Sequence, residues 1–265
     1  MAVLTRQAFK SSHWYTRDGA PMHRVPTADG TGDRAATVKD ARRLGLLPSV
    51  TGILSVLDKP ALGKWKCDQV ALAALRTPKS PDESEGYWCE RVCDAAFRQV
   101  DDAADLGSKI HAALESAFAD LPWDASLSAY VVPVIAWKQK TGITVIEREK
   151  VLVNAAHGFA GTTDVLFRWG ANGIGILDYK TKKTKPGEAV KTYEEHSMQL
   201  AAYAATYWGE AELGRVLAAN IFISSTEPGR MEVCKSGDLP AHFEAFKACA
   251  AIWRYQKGYD PREVR

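Results

Sequence analysis

Two aspartates and one lysine are placed where they can do chemistry together. Asp164 follows Gly161 by three residues in one apolar run, and Asp178 and Lys180 lie in the next, Gly175-Ile-Leu-Asp-Tyr-Lys. Side chains alternate along a strand, so Asp178 and Lys180 share a face while Tyr179 points away. Neighbouring strands thus bring two carboxylates and an ammonium to one end of a sheet. Hard oxygen ligands on a rigid support suit Mg²⁺ or Mn²⁺. Such an ion polarises a phosphate and lowers the pKa of a water, and Lys180 can orient that water or steady the developing charge. A solvated strand end would carry the same Asp-x-Lys triplet. Ile174, Ile176 and Leu177 before it argue instead for a buried strand, whose terminal charges need partners.

Lys180, Lys182, Lys183, Lys185 and Lys191 crowd the turn after this strand, opposed by Glu188 alone. A solvated charge run explains them; so does a loop that neutralises nucleic-acid phosphates, with Lys182, Lys183 and Lys185 as the contacts. Trp65, Tyr87 and Trp88 offer rings for stacking or for a core. Cys67, Cys89, Cys93, Cys234 and Cys249 are odd in number and contain no Cys-x-x-Cys pair, which argues against a disulfide framework and a zinc knuckle. No Walker loop occurs, so no ATP motor is expected.

These residues must be held by elements the pattern also suggests. Residues 16–43 are polar and rich in turn formers such as Gly19, Pro21, Pro26, Gly30 and Gly32, which reads as an exposed lead-in over 1–46. Leu47-Pro-Ser-Val-Thr51 then opens an apolar-periodic stretch in which Ser49 or Thr51 can cap a helix. Helical spacing continues from Trp65 to Leu75, breaks at Pro78 and Pro81, and resumes from Trp88 to Phe118, with Gly107 as a kink or junction. Three β-branched runs, 144–153, 158–169 and 174–181, predict an antiparallel meander. A helix over 196–208, strands over 216–224 and 230–234, and an amphipathic helix over 239–255 follow.

In this order the motifs resemble the RecB-like branch of the PD-(D/E)XK nucleases. Gly161-Thr-Thr-Asp164, Asp178-Tyr-Lys-Thr and Gln199-Leu-Ala-Ala-Tyr203 carry the likeness. Leu106-Gly-Ser-Lys-Ile-His111-Ala-Ala-Leu-Glu115 looks like that branch's histidine helix, and Leu47-Pro-Ser-Val-Thr51 is similar to a segment of phage-type exonucleases and the mitochondrial genome maintenance exonuclease. The resemblance implies that His111, Asp164, Asp178 and the Tyr179 backbone carbonyl bind metal, that Lys180 assists catalysis, and that Gln199 and Tyr203 complete the site. Glu115, one turn from His111 on the same helix face, is a further candidate ligand. Ser49 and Thr51 become candidate DNA contacts. An imidazole ligand favours Mn²⁺ over Mg²⁺. Iron-sulfur members of the branch place one cysteine before the core and three after it, a pattern absent here.

The implied fold class is α/β: a restriction-endonuclease-like core with a central mixed sheet flanked by helices. The nuclease core would span 122–265, with a helical region over 47–121 walling the cleft. The implied function is a metal-dependent DNA exonuclease of phage or bacterial recombination, replication or repair. It would act on DNA with a free end, single-stranded at the site, and it could work with a strand-annealing or single-strand-binding protein. A structure-specific endonuclease or nickase on the same core, and a non-catalytic DNA-binding module, are the alternatives. Composition fits a soluble globular protein, 46% hydrophobic and 25% charged, and a net charge of +2 confines any polyanion site to a local patch. Met1–Ser12 holds Arg6 and Lys10 without an apolar segment, and no run of about 18 apolar residues occurs, so a cytoplasmic home without membrane or export is expected.

Overall fold

The computed structural model describes residues 13–263, with backbone only for 99–103. Met1–Ser12, the segment judged for an export signal, lies outside the described residues. In chain order the elements are β1 (Trp14–Tyr15), β2 (Arg24–Pro26), β3 (Asp33–Ala35), α1 (Val38–Leu44), β4 (Leu47–Pro48), α2 (Val50–Leu54), α3 (Pro60–Arg76) and α4 (Glu85–Phe118). After a short 3₁₀ turn come α5 (Ser128–Thr141), β5 (Thr144–Asn154), β6 (Phe159–Trp169), β7 (Gly173–Lys182) and α6 (Glu194–Trp208). A second 3₁₀ turn leads into β8 (Val216–Ser224), β9 (Met231–Ser236) and α7 (Leu239–Lys257). Among the described residues, no helix is long and apolar enough to cross a membrane.

The central sheet has five strands in the order β5-β6-β7-β8-β9. β5, β6 and β7 form the expected antiparallel meander, while β7 and β8 run parallel with Asp178 beside Asn220, so the sheet is mixed. A parallel neighbour requires a crossover, and α6 supplies it. Its run Gln199–Ala205 is buried throughout. The small side chains of that run let α6 lie close on β5, β7 and β8 and pack against α7. Phe159, Phe243 and Phe246 fill the space beneath, with Phe159 edge-on to Phe246 at 4.9 Å between ring centroids. At Gly175 a β-carbon would fall 2.1 Å from the ring of Phe167, its cross-strand partner, so the missing side chain makes room for the aromatic.

The described residues divide into two compact units, one of 57–109, the other of 13–56 with 110–263. The boundary falls inside α4, between Lys109 and Ile110. In the first unit Val70, Ala73 and Ala74 of α3 meet Trp88, Val92, Ala96 and Phe97 of α4, and the Trp88 indole N–H donates to Thr77 O at 2.7 Å. Trp88 is thus a half-buried ring packed on that cluster, and Trp65 and Tyr87 stay exposed.

Three expectations change. The lead-in is not exposed throughout: Trp14, Tyr15 and Val25 are buried, and β1 pairs with β4. Its turns obscured short strands, of which β1 is buried at both residues and β2 at its central Val25. The helical region 47–121 is also not one body, since α2 and the end of α4 belong with the sheet. Lastly α4 runs through Gly107 without a break, a single interior glycine costing a helix only about 1 kcal/mol. α5 went unread because Pro133 interrupts its pattern; its C-terminus is closed by Gly142 in the left-handed conformation.

Candidate active site

The site opens where β6 and β7 part. Their pairing ends at Val165 with Leu177, and the next residues outward are Asp164 and Asp178. Beyond that point the Tyr179 N–H donates to the Asp164 carboxylate at 2.6 Å. The fork therefore turns a ladder position into a side-chain acceptor and leaves both aspartates facing the gap. Both are buried, Asp164 at 8% and Asp178 at 3% exposure.

Asp178 is held by three donors. Lys180 Nζ lies 2.6 Å from Oδ2, Asn220 Nδ2 donates to the same oxygen at 3.0 Å, and Gln199 Nε2 donates to Oδ1 at 3.1 Å. The Gln199 carbonyl oxygen accepts from Lys180 at 3.2 Å, so this amide orients acid and ammonium together. Burial works to lower the Lys180 pKa, but the charge of Asp178 and its hydrogen bond outweigh that and hold it above the usual lysine value. Tyr203, one turn beyond Gln199, is buried against Gly161, where a β-carbon would fall 2.7 Å from its hydroxyl. Gly161 in the Gly-x-x-Asp motif is thus the seat of that ring.

A second group gathers around Asp164. His111 Nδ1 stands 3.8 Å from Asp164 Oδ2, and its Nε2 lies 3.0 Å from the Tyr179 carbonyl oxygen. One ligand atom each from His111, Glu149 and Asp164 falls within 4.8 Å of the others. Glu149 was not expected. It lies between Arg148 and Lys150, a context that reads as a solvated strand, but the pairs Arg148 with Val165 and Lys150 with Thr163 put it opposite Asp164. Its φ of 43° is in the left-handed region that a side chain rarely adopts. Strain of this kind collects at functional sites. The strand register, had it been fixed, was the signal that would have found it. Asn220 was missed as well, although one amide amid Val216-Leu-Ala-Ala-Asn-Ile-Phe-Ile needs a buried partner.

These groups fit a cation. Burial, and then the charge of Asp178, push the Asp164 pKa well up. Burial, with Glu115 and Asp178, pushes Glu149 up to about 7. Burial lowers His111, favouring the neutral imidazole that a metal binds. Carboxylates gathered with an imidazole out of water need a countercharge, and a divalent ion supplies it. His111, Glu149, Asp164 and the Tyr179 carbonyl are the donors that cluster; Asp178 borders them from its polar cage, and Glu115 is exposed on α4.

The proposed nucleic-acid contacts divide. Ser49 is buried and caps α2 by accepting from Gly52 N at 2.9 Å, whereas Thr51 is exposed. Lys183 and Lys185 are exposed, and Lys182 instead donates to Lys191 O at 2.6 Å and lies over the Tyr193 ring. For Ser49 and Lys182, then, the hydroxyl and the ammonium are already engaged within the protein.

A mixed sheet with two carboxylates and a lysine at a strand fork offers hard oxygen donors for a divalent ion beside a fixed positive charge. Residues 73–236 match the model of the PD-(D/E)XK nuclease superfamily, and the chain belongs to that superfamily. No curated protein matches significantly. Among solved structures, the chain is similar to one described as "Crystal structure of SSO0001", at 14% identity and a TM-score of 0.33, over 77% of this chain and 90% of that one. PD-(D/E)XK nucleases cleave nucleic acids with divalent metal ions, and the fold seen here, a five-stranded mixed sheet flanked by helices, is of the restriction-endonuclease-like kind.

Proposed function

We propose that the protein is a Mg²⁺- or Mn²⁺-dependent deoxyribonuclease working as an exonuclease in phage or bacterial recombination, replication or repair. The observation that carries this is the placement of Asp164, Asp178 and Lys180 at one fork, with His111 and Glu149 beside Asp164. A divalent ion bound there would polarise the scissile phosphodiester and acidify a water. His111, Asp164, Glu149 and the Tyr179 carbonyl would hold it, with Asp178 as a further ligand offered from within its cage of donors. Lys180 keeps its proton because Asp178 stands beside it, and its ammonium then opposes the charge that develops on the phosphate. Gln199 and Asn220 fix Asp178, limiting the reorganisation that the reaction must bear. Lys183 and Lys185 supply sequence-independent contacts to the strand.

The substrate in this reading is DNA entered from a free end and single-stranded at the site, with a strand-annealing or single-strand-binding protein as companion. Purified protein with Mg²⁺ or Mn²⁺ would be given end-labelled linear single and double strands and covalently closed single-stranded circles. Rapid loss of linear strands with intact circles is expected. Equal loss of both would replace the exonuclease with an endonuclease, and inertness toward all of them with either ion would remove the enzymatic reading.

A further inference from the structure

The lysine-bearing turn after β7 is not a free loop. The Thr184 N–H donates to Thr226 Oγ1 at 3.0 Å, and that hydroxyl donates back to Thr184 O at 2.8 Å. The Ser225 N–H donates to Lys182 O at 2.9 Å, and the Val190 N–H to Glu232 Oε2 at 3.1 Å. The central member is Arg230, whose guanidinium donates to Lys185 O at 2.9 Å and also to Glu188 O. The β8–β9 hairpin thus grips the loop at both ends and in the middle.

The charge on Arg230 is already spent: Glu227 and Glu232 both pair with it. A guanidinium so saturated is a poor phosphate ligand, yet its planar fork is well suited to span two backbone carbonyls. The cations facing solvent are Lys183, Lys185 and Lys191, Lys185 in an exposed pair with Glu188 at 3.7 Å that water and salt screen. Ordering an irregular segment costs entropy, which would weaken binding if it fell due on contact with the ligand. In this fold the hairpin has ordered the loop beforehand.

We propose that Arg230, assisted by Thr226, is a positioning residue for nucleic-acid binding that holds the lysine loop as a preformed grip on the phosphate backbone. The inference rests on the reading of that loop as a phosphate contact. Its distinguishing consequence lies in the salt dependence. Each lost phosphate contact lowers the slope of log K against log salt by about 0.7 for a single strand. A positioning residue that makes no contact lowers affinity and leaves the slope alone.

The test is fluorescence anisotropy of a labelled single-stranded oligonucleotide over a sodium chloride series, with EDTA present so that cleavage does not enter. Arg230→Lys keeps the charge but loses the fork, and it should weaken binding about five- to tenfold at every salt, as loss of one to two hydrogen bonds would, with an unchanged slope. Trypsin should then cut faster after Lys183, the bond after Lys185 being closed to it by Pro186. Thr226→Val breaks the same latch without altering charge and should act in the same direction, which keeps the test alive if Arg230→Lys does not fold. The double variant Lys183→Ala, Lys185→Ala should lower the slope by about 1.4. Unchanged affinity in the folded latch variants would overturn the proposal, and so would a reduced slope in Arg230→Lys, which would make it a contact. An unaltered double variant would overturn the phosphate-grip reading on which it rests. Failure of cleavage with intact binding would count against the enzyme alone.

Discussion

A β-carbon on Gly161 would lie 2.7 Å from the Tyr203 hydroxyl oxygen and 2.8 Å from the neighbouring ring carbon. The glycine and the tyrosine are 42 positions apart, on β6 and α6, and each explains the other. Gly161→Ala should therefore force the buried ring off its seat and cost about 1–3 kcal/mol, as overpacking does. Because Gln199 lies one turn before Tyr203, the displacement should also lower cleavage. Adding Tyr203→Phe removes the closest atom only, so urea unfolding should show partial recovery in the double variant. Full stability in Gly161→Ala would mean that the ring does not sit there.

Lys180 and Asp178 form a pair 2.6 Å apart, the carboxylate buried and the lysine side chain 27% exposed. Removing one member of a buried pair strands the other at about 3–5 kcal/mol, and the partial access of Lys180 puts this pair toward the lower end. Asp178→Asn and Lys180→Met should each destabilise the protein, and Lys180→Met should lower kcat by about 10²–10³-fold through the lost charge. Combining them should return much of the stability and none of the activity. Denaturation curves beside a cleavage assay check both halves, and a double variant that cleaved at the wild-type rate would remove the assigned site.

The parts legible in the sequence were those with a local signature. Asp178 and Lys180 follow the apolar run of β7, Gly161 and Asp164 share the preceding strand, and the antiparallel β5-β6-β7 meander follows from β-branched runs separated by turns. Glu149 and Asn220 have no such signature, because their importance arises only from what lies across the ladder. Glu149 meets Asp164 through register, and Asn220 meets Asp178 through a parallel pairing created by the α6 crossover. The lead-in misled for a related reason: Trp14 and Tyr15 are core residues joined to Leu47 and Pro48 by pairing over 30 residues away. Local pattern reveals elements, while long-range register decides which of their side chains meet.

His111 should behave as a ligand rather than as core packing. Its Nε2 lies 3.0 Å from the Tyr179 carbonyl, another candidate donor, and its Nδ1 is close to Asp164. His111→Ala should raise the Mn²⁺ concentration needed for half-maximal cleavage by about tenfold or more, since even loss of a partner behind a ligand costs 10–100-fold. Excess Mn²⁺ should recover part of the rate. Calorimetric titration of Mn²⁺ supplies the check independent of turnover. An unchanged titration together with a lowered melting temperature would assign His111 to packing.

The raised carboxylates make a prediction about stability and pH. Glu149 is pushed up to about 7 by burial and by Glu115 and Asp178, and burial and Asp178 push Asp164 upward as well. Between the ordinary carboxylate range and pH 7 the folded protein therefore holds protons that the unfolded chain has released. The contribution of these two carboxylates to the unfolding free energy must then fall as pH rises through that window, because the slope has the sign of protons bound unfolded minus protons bound folded. Burial lowers His111 and His196, which contribute with the opposite sign up to the ordinary histidine value. The carboxylate effect is therefore read as a more downward change in melting temperature from pH 6 to pH 8 in the metal-free wild type than in variants that lack the acids. Glu149→Gln should lessen that downward change and Asp164→Asn should lessen it further, since the amides do not ionise. Mn²⁺ binds the ionised forms, so its stabilising effect should be larger at pH 8 than at pH 6 and should shrink in both variants. Differential scanning fluorimetry in EDTA and in Mn²⁺ across this range measures all of these at once. A metal-free change in melting temperature from pH 6 to pH 8 that was equal in the wild type and both variants would show that these carboxylates do not carry the strain assigned to them.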